Sequence, residues 1–146
     1  MPVDVQTELK IARPRAEVAA YACDPDNATA WYANIEAVQW RSEPPLAVGS
    51  RIAFTASFLG RRLSYTYEVL ELIEGERFVM STADGPFPME TTYTFHDTPD
   101  GATIMTLRNR GEPSGFLGLA APVIARVIAR ANEKDLRRLS SVLGAA

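Results

Sequence analysis

Met89-Glu90-Thr91-Thr92-Tyr93-Thr94-Phe95-His96 alternates without a break, and this strand, read together with its successors, decides the fold. Met89, Thr91, Tyr93 and Phe95 fall on one face of an extended chain. Glu90, Thr92, Thr94 and His96 fall on the other, the pattern of a half-buried strand. Asp97-Thr98-Pro99-Asp100-Gly101 turns the chain, because proline fixes φ and glycine tolerates positive φ. The return strand brings Met105, Leu107 and Asn109 to one face. After Gly111 the period changes from two to about 3.6. Leu117, Ala121, Ile124, Ile128 and Ala131 then form one stripe, continued by Leu136, Leu139 and Leu143, while Arg126, Arg130, Lys134 and Arg137 lie opposite. A long amphipathic helix therefore follows a hairpin. Pro122 lies inside the helical pattern, so the helix either starts or kinks there.

Upstream, the same strand period recurs. Val3, Val5, Thr7, Leu9 and Ile11 alternate as a first strand. Pro14 and then Asp24-Pro25 each mark a helix start, the second with a capping carboxylate before proline. These two short helices carry Val18, Tyr21 and Ala22, then Trp31 and Tyr32. Val38 and Trp40 share a face of a short strand ended by Pro44-Pro45. Ile52, Phe54, Ala56 and Phe58 alternate next, Gly60-Arg61-Arg62 turns, and Leu63, Tyr65, Tyr67 and Val69 return. The run Val69-Leu70-Glu71-Leu72-Ile73 breaks the alternation and is expected to hold a bulge, beyond which parity inverts. Glu74-Gly75-Glu76 turns into a strand with Phe78 and Met80, which Asp84-Gly85-Pro86 ends. Successive strands joined by short turns must be antiparallel neighbours.

The predicted fold class is α+β: a seven-stranded curved antiparallel sheet, two short helices after the first strand, and one long C-terminal helix. Without repeats or linker-like tracts, residues 1–146 are expected to form a single domain. That length supports a core without staples. With 15 basic and 18 acidic residues interspersed, net charge −3, no nucleic-acid partner is expected, since one would require a clustered basic excess. Cys23 is the only cysteine, so no internal disulfide can form. The N-terminus lacks a secretory pattern, and no run approaches the roughly 20 apolar residues of a transmembrane segment. A cytoplasmic location is the expectation.

A twisted sheet wraps around a helix, and its concave side need not close. The inward parity carries Trp40, Phe54, Phe58, Tyr65, Tyr67, Phe78, Met80, Met89, Tyr93, Phe95 and Met105, against a helix stripe rich in alanine and β-branched residues. Such residues also make an ordinary core. Buried tyrosine hydroxyls, however, demand partners, since an unpaired one costs roughly 1–3 kcal/mol. A cavity holding water or a polar ligand group would supply them. The order of elements raises the weight of that second reading.

Ile11-Ala12-Arg13-Pro14-Arg15-Ala16-Glu17-Val18, then Asp24-Pro25-Asp26-Asn27 leading to Trp31, stand in a characteristic order with three later segments. These are Val48-Gly49-Ser50 before a strand, Gly101-Ala102-Thr103 after a hairpin turn, and Asp135-Leu136-Arg137-Arg138-Leu139 near the end. In this the chain resembles the SRPBCC superfamily of helix-grip proteins, and within it the polyketide cyclase/dehydrase-like branch, relatives of START lipid-transfer and birch-pollen-allergen proteins. The resemblance spans nearly the whole chain. It implies a tunnel for a hydrophobic ligand between the sheet and the last helix. It also implies a mouth at Asp84-Gly85-Pro86-Phe87-Pro88 and Glu112-Pro113-Ser114-Gly115-Phe116-Leu117-Gly118, two segments with exposed-looking phenylalanines that would gate the pocket. The ligand-binding residues expected on these grounds are Trp31, Trp40, Phe54, Phe58, Tyr65, Tyr67, Phe78, Met80, Met89, Tyr93, Phe95, Met105, Leu107, Asn109, Phe116, Leu117, Ile124 and Ile128.

The superfamily hosts binders, transporters, cyclases and regulators, so function must come from the site. Cyclisation or dehydration of a poly-β-ketone needs a placed acid or base and an enolate stabiliser. The only histidine, His96, has the outward parity. With one histidine and one cysteine there is no metal-ligand cluster, and no phosphate loop, dinucleotide fingerprint or nucleophile elbow occurs, so no cofactor and no metal are expected. Tyr65, Tyr67, Tyr93 and Asn109 remain as groups able to hold a carbonyl. The leading expectation is a binding or carrier protein for a lipid-, quinone- or polyketide-like molecule. A cyclase or dehydratase is the alternative, with a regulatory protein-interaction module as the third. An inward carboxylate, arginine or histidine would favour the enzyme.

Overall fold

The computed structural model describes residues 2–58, 60–85 and 87–144, with the side chain of Phe58 outside the description. β1 (Val3–Ile11) is followed by α1 (Arg15–Ala22), a 3-10 turn (Pro25–Asn27) and α2 (Ala28–Trp31). β2 (Ile35–Trp40), β3 (Arg51–Phe58), β4 (Arg61–Ile73), β5 (Arg77–Thr82), β6 (Met89–Asp97) and β7 (Thr103–Gly111) come next, then α3 (Gly115–Leu119) and α4 (Ala121–Val142). This is the α+β helix-grip architecture.

The seven strands form one sheet in the order β1-β7-β6-β5-β4-β3-β2, antiparallel throughout. Each strand from β2 onward pairs with its sequence neighbours, as short turns require. β1 pairs instead with β7, so β1 and β2 occupy opposite edges. The chain between them, α1 and α2, has to cross from one edge to the other, and α2 packs against both α4 and β2. That crossing is what closes one end of the concave side.

Local chemistry sets the boundaries. The Asp24 carboxylate accepts the Asp26 N–H at 3.0 Å, with Pro25 opening the 3-10 turn. Pro122 does not kink the last helix. It sits in the first turn of α4, where its missing N–H leaves no bond unmade, and α3 is a separate short helix before it. In β4 the register shifts between Val69 and Glu71. Val69 is fully buried and Leu72 packs against the same core, three positions apart on a strand, which only the bulge allows.

The core falls into two clusters. The larger joins Ile11, Val18, Trp31, Ile52, Val69, Phe95, Met105 and Leu107 to Leu136 and Leu139 from the C-terminal half of α4. The smaller holds Val3, Val5 and Phe87 against Ala121, Ile124 and Ile128 near the start of α4. α4 is thus seated at both ends. Between the seats it carries small or polar residues, Ala131, Asn132 and Asp135, and there the sheet and helix do not fill the space. Among the described residues no helix is long and apolar enough to cross a membrane.

Candidate functional site

A cavity of about 170 Å³ occupies that gap. A single water needs roughly 10–15 Å³ of such space, so the cavity is far larger than a packing defect. Phe54, Tyr65, Tyr67, Phe78, Met80, Met89, Tyr93 and Asn109 line it from the sheet and Ile128 from α4, all of them residues the sequence singled out. Alternation along β3 to β6 delivers the sheet residues to one face, and the curvature brings them together.

The other expected residues lie elsewhere, each for a physical reason. Trp31 is fully buried, its ring 4.1 Å from that of Tyr32 and 5.7 Å from that of Tyr93, so it backs the wall without lining it. Its indole N–H is the buried side-chain group without a hydrogen-bond partner among the described residues. Trp40 is half-buried, its indole N–H donating to Asp26 at 2.9 Å, which holds the ring over the 3-10 turn. Phe95, Met105 and Leu107 are sealed in the larger core cluster because the C-terminal half of α4 covers their end of the sheet. Ile124 and Leu117 pack with the smaller cluster. Phe116 is 85% exposed and does not line this cavity. Phe87, read from sequence as exposed, is buried and lines the cavity. Phe58 falls outside the described side chains.

The polar lining is organised. Asn132 of α4 donates to Asn109 Oδ1 at 2.6 Å, Asn109 donates to Thr91 Oγ1 at 2.9 Å, and the Thr91 and Tyr67 hydroxyls are hydrogen-bonded in turn. The Tyr67 phenol thus stands at the end of a row of polar groups on the cavity wall. A second pair lies nearby: the Tyr32 and Tyr93 hydroxyls stand 2.5 Å apart. Burial pushes Tyr67 up to about 12 and raises Tyr32, Tyr65 and Tyr93 above the ordinary phenol value, so all four stay protonated at neutral pH. Burial likewise raises the Cys23 thiol to about 12, which leaves no thiolate for nucleophilic work.

Asp135 is the unexpected member. Its carboxylate lines the cavity at 2% exposure and accepts the Ala33 N–H at 3.0 Å. Burial raises it to about 6, against the lowering pull of the Ala33 N–H and of the Lys134 and Arg138 charges. Tyr32, Asn132 and Asp135 were missed by parity reasoning on the strands. For the last two a signal existed: they interrupt, with polar groups, the stripe that Ile124, Ile128, Leu136 and Leu139 define. His96 is exposed on the sheet's outer face, and among the described residues no group of three or more His, Cys, Asp or Glu could hold a metal ion.

Residues 2–144 match the family described as polyketide cyclase / dehydrase and lipid transport. The chain belongs to that family. Its helix-grip scaffold is accordingly that of the SRPBCC superfamily, with the capacity for an internal ligand. This family member is similar in structure to TTHA0849 from Thermus thermophilus, with a TM-score of 0.82 at 21% identity, covering 98% of this chain and 99% of the other. It is similar also to the Zhui aromatase/cyclase from Streptomyces sp. R1128, with a TM-score of 0.80 at 14% identity over 97% of this chain and 93% of that one. Ara h 8.0201 matches with a TM-score of 0.75 at 10% identity over 100% of both chains. At these identities the likeness is one of fold. No curated protein sequence matches this polyketide cyclase / dehydrase family member.

Proposed function

We propose that this family member is a cytoplasmic binding or carrier protein for a hydrophobic small molecule bearing a carbonyl or hydroxyl oxygen. The observation that carries the reading is the row of polar groups Asn132, Asn109, Thr91 and Tyr67, which puts a protonated phenol on the wall of an otherwise mostly apolar cavity. Apolar walls supply affinity, while one placed donor selects an oxygen and fixes its orientation. Lipid-, quinone- and polyketide-like molecules have that combination.

The test is native mass spectrometry of the purified protein, followed by thermal shift against a lipophilic panel. A ligand at 100 times its dissociation constant stabilises by about 2.7 kcal/mol. Tyr67→Trp fills the cavity and replaces the phenol, and should suppress the shift. Equal shifts in Tyr67→Trp and wild type would move the site elsewhere, and no retained or added ligand would end the carrier reading.

Asp135 supports a second reading, proton transfer of the cyclase or dehydratase type. A carboxylate titrating near 6 is ionised enough at neutral pH to take a proton from a carbon next to a ketone. The C–H pair becomes an enolate, stabilised by a phenol such as Tyr67. The enolate carbon attacks a second ketone of the same chain, whose oxygen takes up that proton as a hydroxyl; removal of a second α-proton, passed to the departing hydroxyl, then releases water and leaves a carbon–carbon double bond. Turnover of a poly-β-ketone surrogate, lost in Asp135→Asn and declining as pH falls below about 6, would establish it. Binding without turnover would leave the carrier.

A further inference from the structure

Four large apolar side chains stand in solvent along α3 and the start of α4. Phe116 is 85% exposed, Leu119 84%, Val123 61% and Val127 42%. Single exposed apolar residues are ordinary, but Phe116 and Leu119 stand three apart on α3, and Val123 and Val127 four apart on the adjoining start of α4, so each pair shares a face of its own helix. The same face of α4 continues with exposed cations. Arg126, Arg130, Lys134 and Arg137 lie three, seven, eleven and fourteen residues beyond Val123, so all turn to the Val123 side of the helix. None of the four makes an ion pair within 4 Å among the described residues. The exposed acids of this segment are Glu112 and Glu133, since Asp135 is buried. A chain of net charge −3 thus carries a locally basic face next to its most exposed apolar residues.

We infer that α3 and the exposed face of α4 dock on an anionic lipid surface. Phe116 and Leu119 would enter the boundary between headgroups and acyl chains, and the cations behind them would meet lipid phosphates. A second copy of this chain fits less well, because a symmetric pair through this face would oppose like charges. Val127 belongs both to these exposed residues and to the cavity lining. Docking there brings the cavity wall to the bilayer, the phase in which a hydrophobic ligand dissolves. That consequence rests on the proposed carrier function; the docking itself does not.

The experiment is co-sedimentation of the full chain with vesicles of phosphatidylcholine, alone or mixed with phosphatidylglycerol, at low and high salt. The wild type should pellet with the mixed vesicles, and less so as salt rises. Phe116→Asp combined with Leu119→Asp should lower vesicle affinity by about tenfold or more. Arg126→Glu combined with Arg130→Glu should abolish the preference for anionic vesicles. These side chains pack on nothing in the core, and an unchanged circular dichroism melt verifies that the variants fold. Three results would overturn the inference: wild type remaining in the supernatant with both vesicles, variants sedimenting like wild type, or a concentration-dependent dimer lost in Phe116→Asp without vesicle binding. Ligand binding is read separately, by thermal shift of wild type without vesicles, so either reading can fail alone.

Discussion

Phe87 lies so close over Gly111 that a β-carbon at Gly111 would stand 2.6 Å from the ring. Gly111 ends β7 between Val3 of β1 and Met89 of β6, and its missing side chain leaves the seat that Phe87 fills. Phe87 in turn joins the smaller core cluster and the cavity wall, so the missing side chain of one glycine makes room for a residue of the site.

Gly111→Ala tests space alone, because the backbone there is not in the left-handed region. The new methyl meets both the Phe87 ring and the Pro88 carbonyl oxygen, at 2.9 Å, so Phe87 and Pro88 have to shift. Overpacking of this kind costs about 1–3 kcal/mol. Chemical denaturation should show that loss, together with a weaker thermal shift from cavity ligands. An unchanged midpoint would mean that Phe87 is free to leave its seat.

The Tyr32 and Tyr93 hydroxyls share one hydrogen bond, in which either oxygen can donate, and removal of either takes that bond from the other. Tyr32→Phe or Tyr93→Phe should therefore cost about 1–2 kcal/mol, the penalty of an unpaired buried hydroxyl. The double variant should cost no more than either single one, since it strands nothing. Equilibrium unfolding of the four proteins in a double-mutant cycle measures this. Strict additivity would show that the two phenols are not coupled.

Strand periodicity made the sheet legible, including the bulge after Val69, because a period of two is a local property that a buried face imposes on every residue. It also brought Phe54, Tyr67, Met80 and Tyr93 to the correct face. Parity says which face a side chain takes, however, and not how far along the strand the helix covers it. Phe95 and Met105 share the inward face with Tyr93, yet Leu136 and Leu139 lie over them. Where α4 stands off depends on Ala131, Asn132 and Asp135, and a stripe drawn from apolar residues alone passes over the last two. Phe87 and Phe116 looked alike in loops of glycine and proline. One is buried and the other exposed because Gly111 offers a seat to the first only.

Ala131→Phe should fill the cavity from the helix side. Ala131 lines it on α4 and is only half-buried, so the added ring enters existing space and does not displace a packed neighbour. Stability should change by less than about 1.5 kcal/mol, while ligand-induced thermal shifts should vanish. A large destabilisation without loss of binding would place the ligand away from the middle of α4.

Asp135 makes stability depend on pH in a direction opposite to that of most carboxylates. Its folded value of about 6 lies above the ordinary 3.8, so the folded chain holds the proton more tightly than the unfolded chain. Below the ordinary value both states are protonated and the folded state bears no penalty. As pH rises toward 6 the unfolded carboxyl ionises first, and stability falls until the folded group has ionised too. Asp135→Asn removes that slope while its amide oxygen still accepts the Ala33 N–H. The variant should gain about 1 kcal/mol over wild type at pH 7. The two should converge near pH 4. Urea titrations of both proteins across this range measure the difference, in which every other titrating group cancels. A flat difference would mean that Asp135 ionises in the cavity as freely as in water, and would remove the basis for assigning it a proton-transfer role.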